Sequence, residues 1–244
     1  MDKTLNFAHR GFSGEYPENT MIAFLKACDN GCDGIETDVQ FTKDHVAVLC
    51  HDETLNRTTT GTGYIKDYTF KELYNLDAGI KFNNKFKNEK IPTLEQLLQL
   101  SKDKGIMLNL ELKNTEIPYD GLEEHVINLV YKYNMQNKVI LSSFNHYSMI
   151  KVKNIDSSIK TGLLYEADLY EPQEYCLKVG ADCVHPQYFS VLKEDIVKKL
   201  KKNNLSINTY TVNNEDHMKR LISLNIDIII TNHPNILNKL LSKI

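Results

Sequence analysis

No apolar run in this sequence approaches the roughly 18–20 residues that cross a bilayer. The opening residues, MDKTLNFAHRG, lack the apolar core of a secretory leader. There is no excess of positive charge either. With 29 basic and 32 acidic residues interspersed, the formal net charge is −3, which offers no general field for nucleic acid or anionic lipid. Any anion must be captured by a local site. The cysteines (Cys28, Cys32, Cys50, Cys176 and Cys183) are odd in number and form no C-x-x-C pair. They are therefore expected to be reduced, buried thiols rather than a disulfide framework. No low-complexity linker and no sequence repeat divides the chain. These absences predict a cytoplasmic protein, without nucleic-acid partners or membrane insertion, whose 244 residues suit one large catalytic domain spanning 1–244.

What is present is an alternation. Strand-like LNFAH precedes the helical run MIAFLKACDNG, with Asn19 or Thr20 as its cap and Gly31 at its end. DGIETDV follows, and HVAVLCHD reads as a hairpin extension of it. IMLNLELK, KVILSSF, KTGLLY, DCVHP, SINTYTV and IDIIIT then recur with helical runs between them. Eight strand–helix units imply a (β/α)₈ TIM barrel rather than a doubly wound sheet, which usually has fewer strands. Residues 53–92, turn-rich and polar, read as a small inserted excursion after the second unit's hairpin. Thr69 with Glu72, and Thr93 with Gln96, fit capping boxes, and Gly105 a helix stop.

In such barrels chemistry sits at the C-terminal ends of the strands. The first strand ends in His9-Arg10, the second in Glu36 and Asp38, the hairpin in His51-Asp52, and MLNLELK in Glu111 and Lys113. Residues two apart in a strand share a face, so Glu36 and Asp38 would lie side by side with like charge, and Glu111 would join them at the same mouth. Such convergence normally destabilises a fold or raises a carboxyl pKa. A divalent cation reverses the sign, and hard oxygen ligands suit Mg²⁺ or Ca²⁺ better than Zn²⁺. Arg10 and Lys113 beside it supply positive charge for a phosphoryl group. His9 and His51 offer a general base and a general acid. A lone Glu-x-Asp is usually a solvated face, and His51-Asp52 alone could be a turn, but together these groups spell phosphate-ester cleavage. His185-Pro186 and His233-Pro234 close late strands and could line the same mouth. His45, His125, His146 and His217 are expected to be exposed, and the TGTG at 60–63 to be a simple turn.

The same residues resemble a known family. His9-Arg10, Pro17-Glu18-Asn19-Thr20, Glu36-Thr37-Asp38, His51-Asp52 and Glu111-Leu112-Lys113, in that order, are similar to the glycerophosphodiester phosphodiesterases, and the likeness continues through YTFKELYNLDAG to YTVNN. The resemblance implies that Glu36, Asp38 and Glu111 bind the catalytic divalent ion, Mg²⁺ or Ca²⁺. It implies that His9 and His51 are the acid–base pair and that Arg10 and Lys113 hold phosphate. A glycerophosphodiester such as glycerophosphocholine or glycerophosphoethanolamine would be cut to glycerol 3-phosphate and an alcohol, through a cyclic phosphate. One departure stands out: where family members often carry tryptophan before TVN, this chain has Tyr210, which with His185 is expected at the substrate cleft. Lysophospholipase D action on lipids, which would need an apolar landing surface, and non-catalytic binding of a phosphate ligand are the alternatives. A monomer or homodimer is expected.

Overall fold

The computed structural model describes residues 3–243. Its strands and helices follow in order: β1 (Leu5–His9), α1 (Met21–Asp29), β2 (Gly34–Phe41), β3 (Ala47–Leu49), α2 (Phe70–Tyr74), α3 (Leu94–Lys104), β4 (Met107–Leu112), α4 (Leu122–Lys132), β5 (Val139–Ser143), α5 (His146–Ile155), β6 (Lys160–Tyr165), α6 (Pro172–Val179), β7 (Cys183–Pro186), α7 (Glu194–Lys202), β8 (Ser206–Thr209), α8 (Glu215–Ser223), β9 (Ile228–Thr231) and α9 (Pro234–Leu241). Eight strands are parallel and close on themselves, because β1 pairs with β9 on one side and with β2 on the other. This is the expected TIM barrel. The ninth strand, β3, runs antiparallel to β2, pairing Val39–Phe41 with Ala47–Leu49. It takes the flank of β2 that β1 leaves free when β1 stops at His9.

Two apolar layers follow from strand alternation. Outward residues such as Ile35, Val39, Leu108, Leu110, Leu112, Leu141, Val184 and Ile229 pack against the helices in the main core. Inward residues Phe7, Ile140, Cys183, Ile228 and Ile230 form a separate plug inside the barrel. Burial on both faces explains why these strands read as near-continuous apolar runs. Thr20, not Asn19, caps α1, and both expected capping boxes form at Thr69–Glu72 and Thr93–Gln96. Gly105 ends α3 in the left-handed region at φ 71°. Between β3 and α3 the chain wraps a small core of its own, with Leu55, Ile65, Leu73, Ala78 and Ile91 against Val48 and Cys50 of the hairpin. All five cysteines are free. Among the described residues no helix is long and apolar enough to cross a membrane.

Three expected surface histidines are partly buried instead. His125 meets Phe41 edge-on at 5.0 Å, His146 bonds the Leu164 carbonyl through Nε2 at 2.8 Å, and His217 packs on Tyr188 at 5.1 Å. Helical periodicity marks which residues lie on a helix, but not which imidazole finds an aromatic neighbour across the groove. His45 is exposed as expected.

Candidate active site

The strand-end rule assembles the cluster. β2 and β4 pair in parallel with Asp38 opposite Glu111, and Glu36 lies one step below on the same face. Glu36, Asp38 and Glu111 each bring a carboxylate oxygen within 4.8 Å of the other two, and all three are buried. Burial and then the neighbouring Asp38 and Glu111 charges push Glu36 well above the ordinary carboxylate range. Glu111 is pushed up to about 7, first by burial and then by Asp38, against the pull of Lys113. Burial acts the same way on Asp38, but Arg10, then His51, Lys113 and a bond from Asn19 outweigh it and hold Asp38 below its usual value. Asp38 Oδ1 is buried without a partner. An orphaned acceptor between two carboxylates that resist ionising suits an oxygen-ligated divalent cation.

Removing that cation should therefore have a pH signature. Glu111 binds its proton more tightly folded than at the ordinary glutamate value of 4.5. The metal-free protein thus holds extra protons between about pH 4.5 and 7, and its stability falls as pH rises through that window. Glu111 alone contributes a change on the order of 3 kcal/mol, and Glu36 adds the same sign. Thermal melting in chelator should show this decline, and divalent ion should flatten it. A metal-free melting temperature that climbs over the same window would overturn the account.

Local backbone places the cations. After β1 the chain enters a left-handed pair, Arg10 at φ 55° and Gly11 at φ 81°. At Gly11 a Cβ would lie 2.7 Å from the Ala23 carbonyl carbon, so only glycine lets α1 approach. The turn is pinned to β2, since Arg10 N donates to the Glu36 carbonyl at 2.8 Å. Arg10 Nε then lies 3.5 Å from Asp38, and its Nη1 donates to Glu18 at 2.9 Å. Lys113 Nζ sits 3.2 Å from Glu111.

The two histidines are held differently. His9 Nδ1 lies 2.6 Å from the Asn232 side-chain oxygen. That oxygen can only accept, so Nδ1 carries the hydrogen and Nε2 keeps its lone pair, 3.8 Å from Glu36. Burial, then Arg10, lowers His9 to about 4, which leaves it neutral at pH 7 with Nε2 unprotonated. His51 follows β3, and its Nδ1 is 2.7 Å from Asp52. Arg57 grips Asp52 with Nε and Nη2 at 2.7 and 2.8 Å and Glu18 with Nη1 and Nη2 at 2.8 Å each. The Arg57 bonds first, then His51, hold Asp52 ionised. The fixed Asp52 carboxylate accepts from Nδ1 and so orients the His51 ring.

Beside Glu111 and Lys113 opens a cleft of about 410 Å³, also lined by Glu53, Thr115, Glu116, Phe144 and Glu166. Tyr210 meets Phe144 edge-on, 6.2 Å between centroids, with its hydroxyl donating to the Tyr165 carbonyl. His185 does not reach the cleft. It is fully buried inside the barrel, where Nε2 lies 2.8 Å from Asn208 Nδ2 and a side chain at Gly162 would collide with the ring at 2.3 Å. Its place two residues before the strand-exit residue Gln187 puts it a layer too deep. His233 abuts Gly14 in the loop after β1.

Several supporting residues carry no signature of their own in the sequence. Asn19, freed from capping, adopts φ 53° and donates to Asp38 while accepting from Thr37. Glu18 joins Arg10 to Arg57. Asn232 closes the last strand and orients His9, so the strand-end rule that found His9 also points to it.

Three comparisons bear on this arrangement. The model of the glycerophosphoryl diester phosphodiesterase family matches residues 9–236. A glycerophosphodiester phosphodiesterase from Caldanaerobacter subterraneus is 46% identical over 241 residues, covering 99% of each chain. Among solved structures, a phosphodiesterase from Oleispira antarctica in complex with the product sn-glycerol-3-phosphate superposes with a TM-score of 0.87 at 29% identity, covering 98% of this chain and 97% of that one.

Proposed function

This chain belongs to the glycerophosphoryl diester phosphodiesterase family, and on that footing we propose that it hydrolyses water-soluble glycerophosphodiesters to glycerol 3-phosphate and a free alcohol with a divalent cation, Mg²⁺ or Ca²⁺, in its site. The observation that carries the reading is the approach of Glu36, Asp38 and Glu111 to within 4.8 Å of one another under the guard of Arg10 and Lys113. Those carboxylates would hold the ion, which when bound offsets their repulsion and polarises the phosphoryl oxygens.

The chain's own groups then divide the work. Arg10 spends Nε and Nη1 on Asp38 and Glu18 and keeps donors for a phosphate oxygen, with Lys113 as a second charge. His9 Nε2 takes the proton from the glycerol hydroxyl next to the ester as that oxygen attacks phosphorus. The bond from phosphorus to the alcohol breaks, and His51 delivers its Nε2 proton to the departing oxygen. Water then opens the cyclic phosphate, with the two histidines exchanging roles. An internal nucleophile already in position can lower the barrier by about 7–11 kcal/mol in favourable cases.

The test is a panel of glycerophosphodiesters assayed with and without each ion, reading glycerol 3-phosphate release. Glycerophosphocholine should be cut, and its analogue lacking the hydroxyl beside the ester should resist. Rapid hydrolysis of that analogue would exclude the cyclic route.

A second reading has a specific observation behind it. After each of β5, β6 and β7 comes an exposed aromatic: Tyr147 in the first turn of α5 at 85%, Tyr170 before α6 at 90% and Phe189 before α7 at 52%. Such side chains suit a lipid–water boundary, so lysophosphatidylcholine belongs in the same panel. Turnover above that of glycerophosphocholine would favour lysophospholipase D action. A purely binding role is disfavoured, because both histidines and all three carboxylates are in place.

A further inference from the structure

Cleavage at phosphorus accounts for Glu111 and Lys113 in the lining of the 410 Å³ cleft, but not for the rest of that lining. There Glu53, Glu116 and Glu166 face the same space, and none has an ion-pair partner among the described residues. Several surface carboxylates elsewhere do have partners, among them Glu194 with Lys198 at 2.7 Å, Glu215 with Lys219 at 3.0 Å and Asp168 with Lys193 at 3.0 Å. The cleft's lysine does not balance the three, being turned onto Glu111 at 3.2 Å. An aromatic surface completes the wall. Phe144 lines the cleft and is buttressed edge-on by Tyr210, whose hydroxyl is tied to the Tyr165 carbonyl. Burial, then the nearby Glu166 charge, keeps that hydroxyl protonated.

We propose that Glu53, Glu116 and Glu166 with Phe144 form the seat of the leaving alcohol and select a cationic one over neutral or anionic polyols. The inference rests on the hydrolytic reading above, because continuity with Glu111 and Lys113 is what makes this cleft the place for the substrate's far end. An ammonium or trimethylammonium head finds three carboxylates and a ring face there, the pairing that desolvated cations favour. A glycerol or inositol head gains only hydroxyl contacts, and its diester keeps an uncompensated negative charge that the acidic wall repels. Tyr210, standing where relatives often have tryptophan, fits the arrangement: it contributes as a brace for Phe144 and a polar anchor.

The experiment measures kcat/KM for glycerophosphocholine, glycerophosphoethanolamine and glycerophosphoglycerol with the metal-loaded enzyme. The wild type should prefer the two zwitterionic esters by on the order of 10-fold at low salt, with the preference shrinking as salt rises. In the double variant Glu116→Gln, Glu166→Gln the choline-to-glycerol ratio should collapse toward one, while Glu116→Asp, Glu166→Asp should keep most of it. Both positions are exposed, so folding is not at stake. A wild-type ratio near one, or a ratio untouched in the Gln variant, overturns this inference and leaves the hydrolytic reading standing. No glycerol 3-phosphate from any ester overturns both.

Discussion

His9→Ala and His51→Ala should each lower turnover by roughly 10²- to 10⁴-fold with the fold intact, the range for loss of a positioned acid or base. The two losses should differ in kind. His51, oriented by its Nδ1 contact with Asp52, is the proposed proton donor, so its removal should hurt alkyl alcohols, which leave poorly unprotonated, and spare a nitrophenyl ester that needs no proton. His9 lies next to Glu36, with Nε2 unprotonated and its affinity for a proton depressed to about 4. Its loss should depress both substrates alike, since both need the glycerol oxygen activated. Steady-state kinetics on the two esters, with circular dichroism as the fold control, reads this directly. If the nitrophenyl ester rescued the His9 variant instead, base and acid would have to be exchanged; unchanged rates in either variant would remove that residue from the chemistry.

Stripping divalent ions should reduce activity to background, and Mg²⁺ or Ca²⁺ should restore it. Glu36, Asp38 and Glu111 make this more than a family expectation. Three buried carboxylates within 4.8 Å have two ways to relieve repulsion: gain a counter-ion or gain protons. Without metal, burial and mutual repulsion raise Glu36 and Glu111 and so favour protons, which also take away the negative charge that would hold the ion. Re-binding should therefore be weaker below about pH 7 and release protons as it proceeds. Glu111→Gln should weaken metal binding at neutral pH and remove most of that proton release. Calorimetry in two buffers of different ionisation enthalpy measures both. Full activity in excess chelator would sink the metal-dependent mechanism.

Much of the fold and of the site is legible in the sequence. The barrel could be read because both faces of its strands are buried, which makes the strand segments stand out between helical runs. Glu36, Asp38, Glu111, His9 and Lys113 could be read because a strand's period of two fixes their common face. What was not legible depends on loops and on depth. Asn19 looked as good a cap as Thr20, and only its positive φ turns it toward Asp38. Arg57 sits in a turn-rich run with no periodicity to aim it. His185 carries the same His-x signature as His9, yet one pleat's difference in height seals it inside the barrel.

The clasp of Arg57 on Glu18 and Asp52 has a mechanical corollary. His51 comes on the far side of a hairpin from which the chain departs into a segment with its own small core, whereas His9 is anchored in the closed sheet. The guanidinium is the latch between the two. Should that segment breathe on its own, the proton donor would swing out of register while the carboxylate cage and the base stayed whole. The enzyme would then idle, still holding substrate, with the barrel itself undisturbed.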